Sequence, residues 1–127
     1  MQQLTSSQQL SAFVCGVDVG LVPTMGALHA GHASLIKRAK QENECVIVSV
    51  FVNPLQFNKT ADLRKYPQTL VADIALLEKL NVDAVYLPKY ADIYPEGNEV
   101  QQLSAGSVGE SFEGAARPGH FDGMLTV

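Results

Sequence analysis

A doubly wound parallel α/β sheet is the fold class this sequence predicts, and three observations carry the prediction. Residues 17–22, 45–52 and 83–88 are apolar runs of strand length, and segments with helical spacing lie between them. The central run, "CVIVSVFV", shows little alternation, as expected of a parallel strand covered on both faces. Strands alternating with helices build βαβ units, whose crossovers are expected to be right-handed.

The elements follow in order. Leu4, Leu10, Phe13 and Val14 predict a short amphipathic helix over the first dozen residues, ending near Gly16. Val17 to Val22 reads as the first strand, with Pro23 as its stop. Leu28, Leu35, Ile36 and Ala39 then recur at helical spacing up to Lys40, and Lys37, Arg38 and Lys40 place cations where the helix dipole favours them. After the central strand, residues 53–68 read as a polar loop with Pro54 and Pro67. Leu70, Val71, Ile74, Leu77 and Leu80 predict the next helix, and "DAVYLP" the third strand. Beyond Pro88, "YADIYPEG" reads as a helical turn and loop, "NEVQQLS" as an irregular edge strand, and "SVGESFEGAARPGH" as holding one short helical turn.

The last residues, "FDGMLTV", read as the first turns of a helix, and they end in an apolar run without a stop signal. A three-stranded doubly wound sheet also leaves the flank of its first strand unpaired, which invites aggregation. The expectation is therefore an incomplete sheet. Residues 1–127 would be a domain truncated before its last strands.

Composition narrows the class. With 127 residues, 46% of them hydrophobic, the chain can fill one core. Nine basic against thirteen acidic residues give a net charge of −4, which offers no global attraction for nucleic acid or an anionic membrane. No apolar run is long enough to span a bilayer, and the N-terminus lacks the basic start and apolar stretch of a signal peptide, so a cytoplasmic protein is expected. Cys15 and Cys45 match no zinc spacing and make no disulfide framework; Cys45 reads as a small buried hydrophobe.

The chemistry concentrates in "PTMGALHAGH", residues 23–32, at the carboxyl end of the first strand. Ligands of parallel sheets sit beyond that end of the strands. Thr24-Met25-Gly26 supplies a turn with little side-chain bulk, so that backbone N–H groups can approach a ligand. The helix start that follows favours anions. His29 and His32 share one face of the first helical turn, and Gly31 leaves room for a flat base to pack on the backbone. A zinc site would need ligands beyond this pair, and the remaining histidine, His120, lies in a distant loop. The features together point to a nucleotide site with two imidazoles on phosphates.

His-x-Gly-His after the first strand resembles the signature of the adenylate-forming nucleotidyltransferase superfamily. The longer "PTMGALHAGH", with "VSVFVNPLQF", "DLRKYPQT" and "FEGAARPGHFDGMLTV" in the same order, resembles the pantoate–β-alanine ligase family. The resemblance covers nearly the whole chain after residue 17 and implies a Rossmann-like fold of the nucleotidyltransferase type. It also implies ATP-dependent condensation of pantoate with β-alanine, with magnesium, through a pantoyl-adenylate that releases pyrophosphate and then AMP.

Residue by residue, the resemblance makes His29 and His32 the catalytic phosphate contacts. It places Pro23, Thr24, Met25, Gly26 and Gly31 with them around ATP. Met25, Asn53, Gln56 and Tyr66 would line the pantoate and β-alanine sites, Gln56 holding hydroxyl or carboxylate oxygens with an amide that both donates and accepts. Asp73 would be an outer magnesium or water ligand; as a bare residue it is an ordinary favourable charge near a helix start. Arg117 and His120 would approach phosphate or substrate at the mouth of the site. The resemblance makes residues 1–127 an N-terminal nucleotide-binding domain with the family's C-terminal domain absent, and a homodimer the expected state of the full-length protein. The family's Gly-Glu-Lys-Asp stretch, a second pantoate-binding glutamine and a Ser-Ser-Arg loop do not occur in these residues, so the chain by itself is expected to be inactive or nearly so. Two alternatives stand beside this reading: another His-x-Gly-His nucleotidyltransferase, or a non-catalytic module that binds nucleotide on the same fold.

Overall fold

In the computed structural model, residues 1–13, 15–97 and 100–127 are described. The chain divides into two compact units. The first, Met1–Val52 with Pro67–Ile93, holds the sheet. Its strands are β1 (Gln2–Leu4), β2 (Val19–Thr24), β3 (Cys45–Val50) and β4 (Ala84–Tyr86), and its helices α1 (Ser7–Ala12), α2 (Ala30–Glu42), α4 (Leu70–Lys79) and α5 (Tyr90–Ile93). The second, Asn53–Tyr66 with Tyr94–Val127, holds a 3-10 turn at Pro54–Gln56, α3 (Thr60–Lys65), a second 3-10 turn at Gly106–Glu110, α6 (Glu113–Ala116) and α7 (His120–Thr126).

All strand pairs are parallel, in the order β1-β4-β3-β2. β3 lies inside the sheet and buries residues of both parities. Val46 and Val48 enter a cluster with Val22, Ile36, Leu77, Val82 and Val85, while Cys45 and Ile47 enter another with Leu4, Ala84 and Tyr86. Two apolar clusters drawing on alternate residues of one strand explain why its sequence does not alternate. The fold is thus the α/β parallel sheet that the sequence predicts, and β2, the first strand of that reading, does lie at an edge.

Several local expectations are corrected. A fourth strand, β1, precedes the first predicted one and pairs with β4 across the chain, Gln2 opposite Ala84. Three residues, two of them glutamine, carry no apolar pattern of their own. The predicted first helix is real but shorter, Ser7–Ala12, capped by Ser6, whose side chain accepts from the Gln9 N–H; Val14 lies outside the described residues. Pro23 does not stop β2, which runs to Thr24 with Pro23 opposite Ser49. An edge strand has a side that needs no N–H, and proline fits there. The polar loop at 53–68 contains the Pro54–Gln56 turn and α3. Asn98 and Glu99 of the expected "NEVQQLS" strand lie outside the described residues, and 100–104 form no strand. Helical turns at Gly106–Glu110 and Glu113–Ala116 replace the single one expected.

The cysteines are also read differently. Cys45 is buried as expected, but it is joined to Cys15 in a disulfide with Cα atoms 5.7 Å apart. Cys45 sits opposite Val19 at the start of the β2–β3 pairing, so the parallel register brings the entry to β2 beside it. A thirty-residue separation does not show that proximity.

Candidate functional site

The β2–α2 connection is built by its own hydrogen bonds. Thr24 Oγ1 donates to the Ser49 carbonyl at 2.9 Å and accepts the Gly26 N–H at 3.2 Å. Gly26 and Ala27 are both left-handed, with φ of 79° and 51°. At Gly26 the conformation favours glycine and the space is tight, since a Cβ would stand 3.1 Å from Asp73 Oδ2 and 3.2 Å from Val50 Cγ1. Asp73, in the first turn of α4, is buried, and its two oxygens accept the N–H groups of Ala27 at 3.0 Å and Leu28 at 2.8 Å. Thr69 Oγ1 donates to the same carboxylate at 3.1 Å.

His29 is the N-cap of α2. Its Nδ1 accepts the Gly31 N–H at 3.1 Å, and the Nδ1 of His32 accepts the His29 N–H at 3.3 Å, a reciprocal cap with ring centroids 4.1 Å apart. A backbone N–H can only donate, so both Nδ1 atoms are unprotonated and the neutral rings carry their proton on Nε2. His29 is exposed and His32 half-buried. Burial, and then the neighbouring His29, hold the His32 imidazole below its ordinary value, while the Asp73 carboxylate opposes that shift. His32 is thereby kept neutral as a hydrogen-bond donor through Nε2.

Two details of the sequence reading change here. The N–H groups of Gly26, Ala27, Leu28, His29 and Gly31 all donate within the protein, so this turn does not offer them to a ligand. The room at Gly31 is taken by the His29 ring: a Cβ would meet its Cε1 at 2.9 Å. The two imidazole Nε2–H groups are side-chain donors that these bonds leave uncommitted. Pro23 and Thr24 end β2 beside this turn, and Met25 follows half-buried.

The second unit holds another polar cluster. Asn53 caps the Pro54–Gln56 turn, and its Oδ1 accepts the Leu55 N–H at 3.2 Å and the Tyr94 hydroxyl at 2.8 Å. Its Nδ2 donates to Gln56 Oε1 at 3.1 Å and to the Gly123 carbonyl at 3.0 Å. Asn53 is 1% exposed, and its amide is fully engaged inside the protein. His120 is also buried, and its Nδ1–H donates to the Gln56 carbonyl at 2.9 Å, the opposite tautomer to that of the α2 pair. α7 approaches the Pro54–Gln56 turn so closely that a Cβ at Gly123 would overlap the Leu55 carbonyl. Tyr66 ends α3 and meets Phe57 edge-on at 5.6 Å. Arg117 is half-buried at the end of α6, where its N–H donates to the Glu113 carbonyl at 2.8 Å.

The structure thus gathers His29, His32, Gly26, Gly31 and Asp73 in one unit, and Asn53, Gln56 and His120 in the other. Sequence reasoning missed Thr69 and Tyr94 as partners of these residues; a hydroxyl four residues before Asp73 was the available signal for Thr69. Among the described residues no group of three histidines, cysteines or carboxylates is placed to hold a metal ion. The buried Asp73 carboxylate already accepts three donors, and no two further carboxylates or histidines among the described residues stand with it as a metal-holding group. No helix among them is long and apolar enough to cross a membrane.

Comparison with known proteins agrees with the motif. The pantothenate synthetase of Paenarthrobacter aurescens is 52% identical over 121 residues, covering 95% of this chain and 41% of that protein. That of Corynebacterium glutamicum is 51% identical over 131 residues, covering 100% and 47%. The chain therefore spans less than half the length of these relatives. Among solved structures, pantothenate synthetase from Thermus thermophilus superposes with a TM-score of 0.87 at 44% identity, over 99% of this chain and 46% of that one. Pantoate-beta-alanine ligase from Francisella tularensis, complexed with beta-gamma ATP and beta-alanine, gives a TM-score of 0.87 at 46% identity, over 99% and 50%. The family model for pantoate-beta-alanine ligase matches residues 1–127 from end to end. With its motif, its sheet and that match in agreement, the chain belongs to the pantoate-beta-alanine ligase family.

Proposed function

We propose that this chain carries the nucleotide-binding part of an ATP-dependent ligase that joins pantoate to β-alanine. In the first step a pantoate carboxylate oxygen attacks the α-phosphorus of ATP, the bond to the β-phosphate bridging oxygen breaks, and pyrophosphate leaves. In the second, the β-alanine amine attacks the acyl carbon of the adenylate, AMP leaves with the carboxyl-side oxygen, and the amine gives up a proton. Negative charge shifts among the phosphate oxygens in the first step, and donors already aimed there lower its barrier.

The observation that carries this reading is the reciprocal His29–His32 cap, which fixes both rings with Nε2–H as the outward donor. Two fixed neutral donors three residues apart at an exposed helix start suit adjacent phosphate oxygens. The Francisella tularensis relative, solved with an ATP analogue and β-alanine, supports ATP and β-alanine as ligands. Gln56 and Tyr66 remain the pantoate-side candidates, with Arg117 and His120 beside them in this reading; Asn53, whose amide is saturated, holds the turn that carries Gln56. Magnesium arrives on the nucleotide rather than on these residues. A cytoplasmic location and a homodimer of the full-length protein belong to the same proposal.

The test uses a protein of the relatives' full length that carries this sequence. ATP should yield AMP only when pantoate and β-alanine are both present, and His29→Asn should slow adenylation far more than it weakens pantoate binding. ATP turnover independent of pantoate would overturn the assignment, and would favour another member of the His-x-Gly-His superfamily.

A further inference from the structure

Two successive N–H groups of a left-handed turn converge on Asp73, as such groups converge on bound anions. The protein fills this seat itself. Asp73 is 3% exposed, α4 holds it one turn in, and the Thr69 hydroxyl just before that helix steadies Oδ2. Ala27 keeps φ of 51° without being glycine, a conformation that persists only where its surroundings impose it. The residues so held, Gly26 to Leu28, lead directly into His29.

We propose that Asp73 is a positioning residue for the His29–His32 pair: its carboxylate fixes the Gly26–Leu28 turn and so sets where both Nε2–H donors stand. The proposal rests on the reading that this pair contacts ATP phosphates. It gives Asp73 a role through the backbone in place of one on a metal ion. An amide cannot substitute, because one of its two positions carries N–H donors that would face the N–H of Ala27 or Leu28.

The test is NMR on a protein of the relatives' full length that carries this sequence, comparing wild type with Asp73→Asn, with ATP as the probe. The Ala27 and Leu28 amide protons should exchange at least about tenfold faster in the variant, with the β3 amides of Val46 and Val48 unchanged; tenfold corresponds to roughly one net hydrogen bond. The ATP concentration that shifts the His29 and His32 imidazole signals should rise by a similar factor. Unchanged exchange at Ala27 and Leu28 would overturn the proposal, as would faster exchange with an undiminished ATP response. Should Asp73→Asn lose the dispersed sheet signals, Thr69→Val carries the test; there a severalfold faster Ala27 exchange with weaker ATP response supports the proposal, and no change in either overturns it. If ATP leaves the wild-type imidazoles unmoved, the phosphate reading itself fails, while the amide exchange still decides whether Asp73 holds the turn.

Discussion

Two clusters of polar side chains follow strand ends in this protein, one after β2 and one after β3, and they use their hydrogen bonds differently. In the second unit Asn53 exchanges four bonds with Leu55, Gln56, Tyr94 and Gly123, and it is almost wholly buried. At the β2–α2 turn the N–H groups of Gly26, Ala27, Leu28, His29 and Gly31 are engaged by Thr24, Asp73 and the two Nδ1 atoms, yet the imidazoles keep a second nitrogen each. An inward-facing atom and an outward-facing one on the same ring can therefore do different jobs. An amide with both ends engaged can only hold structure.

If that contrast is right, the largest loss of stability follows from Asn53→Ala. It takes a buried partner from the Leu55 N–H, the Gln56 amide oxygen, the Tyr94 hydroxyl and the Gly123 carbonyl at once, and should cost about 3 kcal/mol in urea unfolding, given what lost buried hydrogen bonds cost. A loss below about 1 kcal/mol would break the comparison from its structural side, since one net hydrogen bond accounts for that much. Next comes Gly123→Ala, whose Cβ would overlap the Leu55 carbonyl; overpacking of this kind should cost about 1–3 kcal/mol and lower Tm.

His29 sharpens the contrast from the other side. His29→Ala removes the N-cap and should cost about 1 kcal/mol, whereas His29→Asn replaces one good acceptor with another and should recover most of it. Both variants should lose the response to ATP equally, because neither has the second ring nitrogen. Recovery of ATP binding in His29→Asn would mean that the cap alone mattered.

The smallest effect concerns acid. The His32 value is lowered in the fold, so below the ordinary 6.5 the unfolded chain takes up its proton first. Stability should therefore fall as pH drops through that value, and the fall should be smaller in His32→Asn. A pH-independent difference between the two proteins from about 7.5 down to about 5 would contradict the assignment of His32 as a neutral acceptor.

Much of the fold is legible in the sequence where pattern is dense. β3, α2 and α4 show in the spacing of their apolar residues, and the His-x-Gly-His stretch shows where a strand ends and a helix starts. β1 does not show, because its residues take their strand state from β4, a partner far along the chain. Pro23 misleads because edge position is a property of the sheet, not of the strand. The Cys15–Cys45 pairing depends on the β2–β3 register in the same way. In the site, the imidazoles are legible and their tautomers are not, since those follow from where single N–H groups point. Asp73 reads as a surface charge until α4 is seen to turn it toward Ala27 and Leu28.

The most direct test of the contrast is one nitrogen-detected imidazole spectrum of a protein of the relatives' full length that carries this sequence, at about pH 7.5, where ordinary imidazoles are neutral, recorded before and after ATP. His29 and His32 should appear as neutral Nε2–H tautomers and His120 as the Nδ1–H tautomer, with ATP shifting the first two and leaving the third. His29 or His32 found with its proton on Nδ1, or His120 moving with ATP while the pair stays still, would contradict that division of labour.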